Sequence, residues 1–259
     1  MNRRSIIAAV GSLTAMGTIG TVTAQNRNGE RSRRQIVESF HEDGLEGVKG
    51  EFEKQNLDYT VTSTTLEEKQ SEESEVTPEY GYDEDESEVQ LMLAENSNHP
   101  DRIWATASMA LEEVDPFADN YDGTDDAIGI SFDDDHWSVV GSTSKTVNYP
   151  DGVEEEGEIS FYSNSLEDGG LAANVDLPVD FYIRGVPYPP ETTNVALMTE
   201  LRNLDGVAGN IFATYVHNGG SGSIDSISGG AGPIDVALSG WDSTENFDIA
   251  DDDNPDPYM

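Results

Sequence analysis

Between Asp125 and Val140 the chain reads apolar strand, acidic turn, apolar strand, and no other stretch constrains the fold more tightly. Ile128, Ile130 and Phe132 alternate with the small residues Ala127, Gly129 and Ser131, which is the period of a half-buried strand. Asp133, Asp134 and Asp135 turn the chain, and Trp137 and Val139 start the next strand. The same grammar continues towards the C-terminus.

Val89, Leu91 and Leu93 alternate, a polar loop runs from Asn96 to Asp101, and Ile103, Ala105, Ala107, Met109 and Leu111 alternate back, which predicts a hairpin. Ile159 to Tyr162 is a further strand. Val175, Leu177, Val179, Phe181 and Ile183 predict one long strand, closed by the loop that Pro187 to Pro190 impose. Val195, Leu197 and Leu201 form another. Ile211 to His217 is apolar on both faces and belongs in the middle of a sheet, and Asn218 to Gly222 turns the chain. Ile224 and Ile227 sit in a Ser- and Gly-rich strand, and Ile234, Val236 and Leu238 in a last clear one. Eight or more short strands without matching helices predict a mainly β fold, an antiparallel β-sandwich over residues 88–250, with a barrel as the alternative closure.

The residues before that domain read differently. Asn2-Arg3-Arg4-Ser5 opens a twin-arginine-like export signal over residues 1–24, followed by an uncharged but Gly-, Ser- and Thr-rich run to Ala24. A lasting span wants about 20 predominantly apolar residues, so this run is expected to be cleaved between Ala24 and Gln25 and to leave no stable membrane span. Residues 25–66 form a small helical leader. Gln25 to Arg34 is expected to be a flexible new N-terminus. Ile36, Val37 and Phe40 then share a helical face, His41 to Gly44 breaks it, Leu45, Val48 and Phe52 resume it, and Leu57 to Thr62 reads as a strand. Such a unit is too small to stand alone; it should dock on the main domain or serve as a pro-segment. Residues 67–87 are an acidic linker and 251–259 an acidic tail.

Charge decides the environment. The 259 residues carry 13 Lys+Arg against 52 Asp+Glu, a formal net charge of −39. Such a surface repels itself until roughly 1 M salt shortens the screening length to about 3 Å. An excess spread this evenly is the mark of a halophilic protein, and it excludes nucleic acid and anionic membranes as partners. There is no cysteine, so the core holds without disulfides, and no Asn-x-Ser/Thr sequon occurs.

Catalytic signatures are absent or broken. Ser142-Thr143-Ser144-Lys145 matches Ser-x-x-Lys, but its Ser-Asp-Asn and Lys-Thr-Gly companions are missing. Gly219 to Ser223 fails Gly-x-Ser-x-Gly at its last position, and His41-Glu42 meets Leu45 where a zinc protease needs its second His. The whole histidine supply is His41, His99, His136 and His217. No cofactor is expected. If a metal binds, it is calcium on hard carboxylate oxygens, with Asp133 and Asp135 as the candidate ligands beside Asp134, Asp122, Asp125 and Asp126.

Glu53 to Tyr59, Ala127 to Phe132 with Trp137, and Thr214 to His217 followed by Ile224 to Ile227 carry a resemblance. The chain resembles haloarchaeal exported β-domain proteins of unknown function that bear a twin-arginine signal. The resemblance implies source and compartment, a secreted protein that meets the export machinery through its signal, and it carries no activity. The first functional expectation is a non-catalytic binding or envelope-associated protein with an extracellular ligand or protein partner, contacted through Trp104, Tyr162, Tyr182 and Trp241. The alternatives are an antimicrobial precursor whose leader is cut away, and a secreted hydrolase outside the known motifs.

Overall fold

A computed structural model describes residues 22–65, 87–96, 99–112, 126–163, 166, 169–183, 186–188, 190–207, 209–218, 223–229, 232–239 and 244–250. Among the described residues one long helix, α1 (Val22–Gln55), precedes fourteen strands: β1 (Tyr59–Thr65), β2 (Glu88–Glu95), β3 (Arg102–Glu112), β4 (Asp126–Phe132), β5 (Trp137–Asn148), β6 (Glu158–Ser163), β7 (Gly170–Asp176), β8 (Phe181–Ile183), β9 (Val186–Tyr188), β10 (Thr192–Asn203), β11 (Ile211–Asn218), β12 (Ser223–Ser228), β13 (Asp235–Ser239) and β14 (Thr244–Ala250). Two antiparallel five-stranded sheets result, in the orders β1-β2-β3-β10-β5 and β14-β11-β4-β7-β6. Their facing sides share one apolar core that includes Leu91, Met109, Ile130, Leu171, Leu197 and Tyr215. This is the antiparallel sandwich that the alternation predicted.

The outer faces are covered too, which the alternation did not predict. Every residue of β4 is buried, where a half-buried strand was expected. Ile128, Ile130 and Phe132 face the core between the sheets. The opposite face, with Ala127, lies under the β12–β13 hairpin and packs with Ile227, Ile234 and Val236. The small residues of β4 are small because another layer sits on them. The stretch from Val175 to Ile183 is likewise not one strand. It divides into β7, a single bridge between Val179 and Glu155, and β8. The acidic turn after β4 carries the chain from the second sheet to β5 of the first.

On the first sheet the covering layer is α1. Gln25 to Arg34 is helical, contrary to the flexible terminus expected of it. The expected break is present: Asp43 and Gly44 leave helical geometry, and Gly44 takes φ 56°, a conformation glycine adopts without steric cost. The helix ends at a Schellman cap, with Asn56 at φ 53°. The Asn56 N–H donates to Glu53 O at 3.1 Å and the Leu57 N–H to Phe52 O at 2.9 Å. Ile36, Phe40, Leu45, Val48 and Phe52 are buried against Met92, Ala94, Trp104, Ala196 and Met198 on the sheet. Each large apolar side chain buried this way contributes roughly 1.5–3 kcal/mol. Straight after the cap, β1 joins the sheet and pairs with β2 from Tyr59↔Ala94 to Thr65↔Glu88. The leader is therefore one layer and one strand of the folded body.

Candidate binding groove

The outer face of the first sheet changes character along its length, and the register shows how. Ala94, Trp104 and Glu200 stand in one cross-strand row. Met92, Thr106 and Met198 form the next, and Gln90, Ser108 and Ala196 the one after. The row beyond is Glu88, Ala110, Asn194 and Asn148, spanning β2, β3, β10 and β5. The helix seals the apolar rows. It leaves the polar ones open as a groove of about 790 Å³ between the underside of α1 and the strands.

Glu88, Gln90, Ser108, Asn194, Asn148 and Glu112 give the floor amide, hydroxyl and carboxylate groups at fixed strand positions. Glu42, Asp43, Glu46 and Lys54 come from α1, where Gly47 and Gly50 keep the wall thin. Side chains already cross the border: Lys49 Nζ donates to Glu46 Oε1 at 2.5 Å and to Gln90 Oε1 at 3.3 Å. Gln90 Nε2 donates in turn to Glu88 Oε2 at 2.5 Å. The helix kink sits on the floor. With its amide oriented by its neighbours, Asn148 accepts from the Gly44 N–H at 3.3 Å and donates to Thr146 Oγ1 at 3.3 Å. Among the described residues neither aromatic rings nor histidines line the groove.

At the other end of the same face a charged cluster pins the helix. Glu200 is 1% exposed. Its Oε1 accepts from Asn96 Nδ2 at 2.8 Å and from Arg102 Nη1 at 3.2 Å. Arg33 reaches down from α1, its Nη2 3.6 Å from Glu200 Oε2 and its guanidinium 5.8 Å from the centroid of the Trp104 ring. Gly141 makes room for it, because a Cβ there would lie 2.1 Å from Arg33 Nη2. A carboxylate buried this deeply is tolerated only where such partners compensate its charge. This cluster is an anchor.

The residues singled out in the sequence do not meet in the groove. Asp133 spends one carboxylate oxygen on its own turn, accepting from the Asp135 N–H at 3.0 Å, and Asp135 is exposed. Asp126 lies at the far end of β4, buried, where it accepts from Tyr215 Oη at 2.5 Å. Asp122 and Asp125 fall outside the described residues. Among the described residues no three His, Asp or Glu side chains converge as metal ligands. Ala24 and Gln25 lie in the first turn of α1.

Lys145 of the Ser-x-x-Lys match is on β5, not on a helix; it donates to Ile159 O and lies over the Phe161 ring at 5.3 Å. It joins the edges of the two sheets. Trp104 is a buried seat for α1 instead of an exposed contact, whereas Tyr162 and Tyr182 are each 40% exposed. Trp241 lies outside the described residues. His41 and His99 are exposed, and His217 sits on β11 opposite Glu245.

His136 lies between two carboxylates. Its Nδ1 is 2.9 Å from Asp205 Oδ2, and its Nε2 is 3.9 Å from Asp133 Oδ2. The pair ties the turn after β4 to the loop after β10, which the Leu204 N–H to His136 O bond at 2.8 Å also joins. The Val207 N–H, at 2.9 Å from Asp205 Oδ1, holds the Asp205 carboxyl below the usual carboxylate range, and His136 adds to this. Both neighbours of this ring are carboxylates, so the arrangement is a loop clasp.

Asn194, Asn148 and Gln90 were not found by reading motifs. Their signal was present in the strand alternation. In β10 the positions out of phase with Val195 and Leu197 run Asn194, Ala196, Met198, Glu200, polar at the ends and apolar in the middle. That is the trace of a face half covered by another layer. Fold and groove together define an antiparallel sandwich with a helix on one outer face, a hairpin on the other, and an open polar groove beneath the helix. No protein-family model matches the chain, and no curated relative matches it.

Proposed function

We propose that this is a protein exported from a halophilic cell that works outside it as a non-catalytic binder, with the groove under α1 as its binding site. The groove carries the reading. It offers hydrogen-bonding groups on rigid strands, which hold their geometry better than loops do, and its volume lies in the range of ligand sites. The mixed amides, hydroxyls and carboxylates of the floor suit a polyhydroxylated ligand such as an envelope polysaccharide. Export is supported by the twin-arginine opening, and the halophilic setting by 52 acidic residues against 13 basic ones.

The test is calorimetric titration of the full chain, at about 2–4 M salt, against envelope polysaccharide from a halophilic host. The expected result is saturable binding that Asn194→Ala weakens about tenfold while thermal stability shifts by less than about 0.5 kcal/mol, the usual range for a surface substitution. Binding that ignores Asn194→Ala and Asn148→Ala would move the site elsewhere, and the exposed Tyr162 and Tyr182 would be next. No saturable binding to any envelope fraction would remove the polysaccharide reading.

A further inference from the structure

We propose that α1 and β1 form a self-contained docking element which the rest of the chain holds non-covalently, so that the covalent link between β1 and β2 is dispensable once the protein has folded. Thr65 and Glu88 are direct cross-strand partners. A hairpin closed at that point needs about two to five connecting residues. The chain has 22 between them, ten of which are Asp or Glu. A connection of that length does not fix the register of β1 as a tight hairpin turn would.

What holds the element is its docked surface. β1 contributes seven consecutive paired positions with no register shift. From α1, Ile36, Phe40, Leu45, Val48 and Phe52 fill the apolar rows of the sheet, and Arg33 enters the buried carboxylate cluster at Glu200. The occupant that fits this face is a helix–strand segment with that apolar spacing and that arginine. Cleavage between β1 and β2 therefore leaves the sheet covered. Loss of the leader requires dissociation as well, and would uncover Met92, Ala94, Trp104, Ala196 and Met198 together with the edge of β2.

A site-specific protease sequence inserted between Ser71 and Glu72 of the full chain provides the test. After cleavage at the salt concentration that supports folding, the two pieces should co-elute at micromolar concentration with the mass of the intact chain. Circular dichroism should be retained, and the pieces should part in denaturant. In the cleaved Arg33→Ala protein the smaller piece should leave at least about tenfold faster. Separation of the wild-type pieces under native salt would overturn the proposal. Equal release rates with and without Arg33 would overturn the part given to the Glu200 cluster.

Discussion

The two outer faces of the sandwich are covered in opposite ways. Over the second sheet the β12–β13 hairpin fits closely: a Cβ placed on Gly129 would lie 1.7 Å from Ile234 Cδ1. Two polar groups fix it there, with Ser131 Oγ donating to Gly232 O at 2.6 Å and the Ile234 N–H to Thr214 Oγ1 at 3.1 Å. Over the first sheet, α1 packs its apolar face on both sides of its kink, and its polar flank leaves the 790 Å³ groove open above the polar rows. A cover that leaves no room serves stability alone. One that seals half a face and leaves the other half polar and open serves stability at one end and leaves the other accessible, where the proposed ligand would sit.

Salt should separate the two covers most strongly. In the groove Glu42, Asp43 and Glu46 of α1 stand over Glu88 and Glu112 of the sheet, while the hairpin packs on apolar residues. As ionic strength falls from about 1 M to 0.1 M the screening length grows from about 3 to 10 Å, and these carboxylates begin to repel across the groove. Hydrogen exchange followed during dilution should show α1 losing protection before β12 and β13. Loss of both together would mean that repulsion acts on the whole fold and not on this face.

Phe40→Ala is the sharpest single test of the helical cover. Phe40 is 0% exposed, and truncating such a residue costs about 3–5 kcal/mol. Thermal melting at constant high salt should report it. A cost below about 1 kcal/mol would mean that α1 adds little to the sheet it covers. On the hairpin side, Gly129→Ala should cost about 1–3 kcal/mol through overpacking. Ile234→Val removes the Cδ1 atom in the way, so the double variant should be more stable than the sum of the single effects predicts. Strict additivity would mean that the hairpin shifts freely, and the contrast between the covers would weaken.

These covers also mark where the sequence could be read and where it could not. The strand alternation of β2, β3, β4, β10 and β11 is legible because each of those strands turns a row of large apolar residues to one common core. The helix break at Asp43–Gly44 is legible because glycine and three polar neighbours interrupt a clear face. The layering was harder. Ala127, Gly129 and Ser131 look like a solvent side, since small residues suit either water or a close neighbour, and only the position of Ile234 decides between them. β14 passed unnoticed because Phe247 and Ile249 are its two large apolar residues, set among Glu245, Asn246 and Asp248 at a sheet edge. The groove has no motif at all. It arises where four strands bring Glu88, Ala110, Asn194 and Asn148 into one row, from positions that are far apart in the chain.

The smallest effect is expected at neither cover but at the loop clasp between the sheets, and it provides a control for both. The Asp205 carboxyl is held below the usual carboxylate range by the Val207 N–H and then by His136. For a carboxylate whose folded value is depressed, the stabilisation is complete above the unfolded value and is lost as pH falls through the folded one. The contribution of this carboxylate to joining the turn after β4 and the loop after β10 should therefore persist through mildly acidic pH and fade only below the ordinary Asp range. Asp205→Asn should remove this step, because an amide does not titrate. Trp137 is a natural reporter, since its Nε1–H donates to Gly209 O at 3.1 Å in the same loop. Its fluorescence, followed at constant high salt, should change in that acidic window in the parent and not in Asp205→Asn. The clasp lies outside both covers, so hydrogen exchange in α1 and in β12–β13 should be unaffected by the substitution at neutral pH. A change in α1 alone would mean that the helical cover is coupled to the far loops through β10, which carries Glu200 near its end, and the two faces would then not be independent.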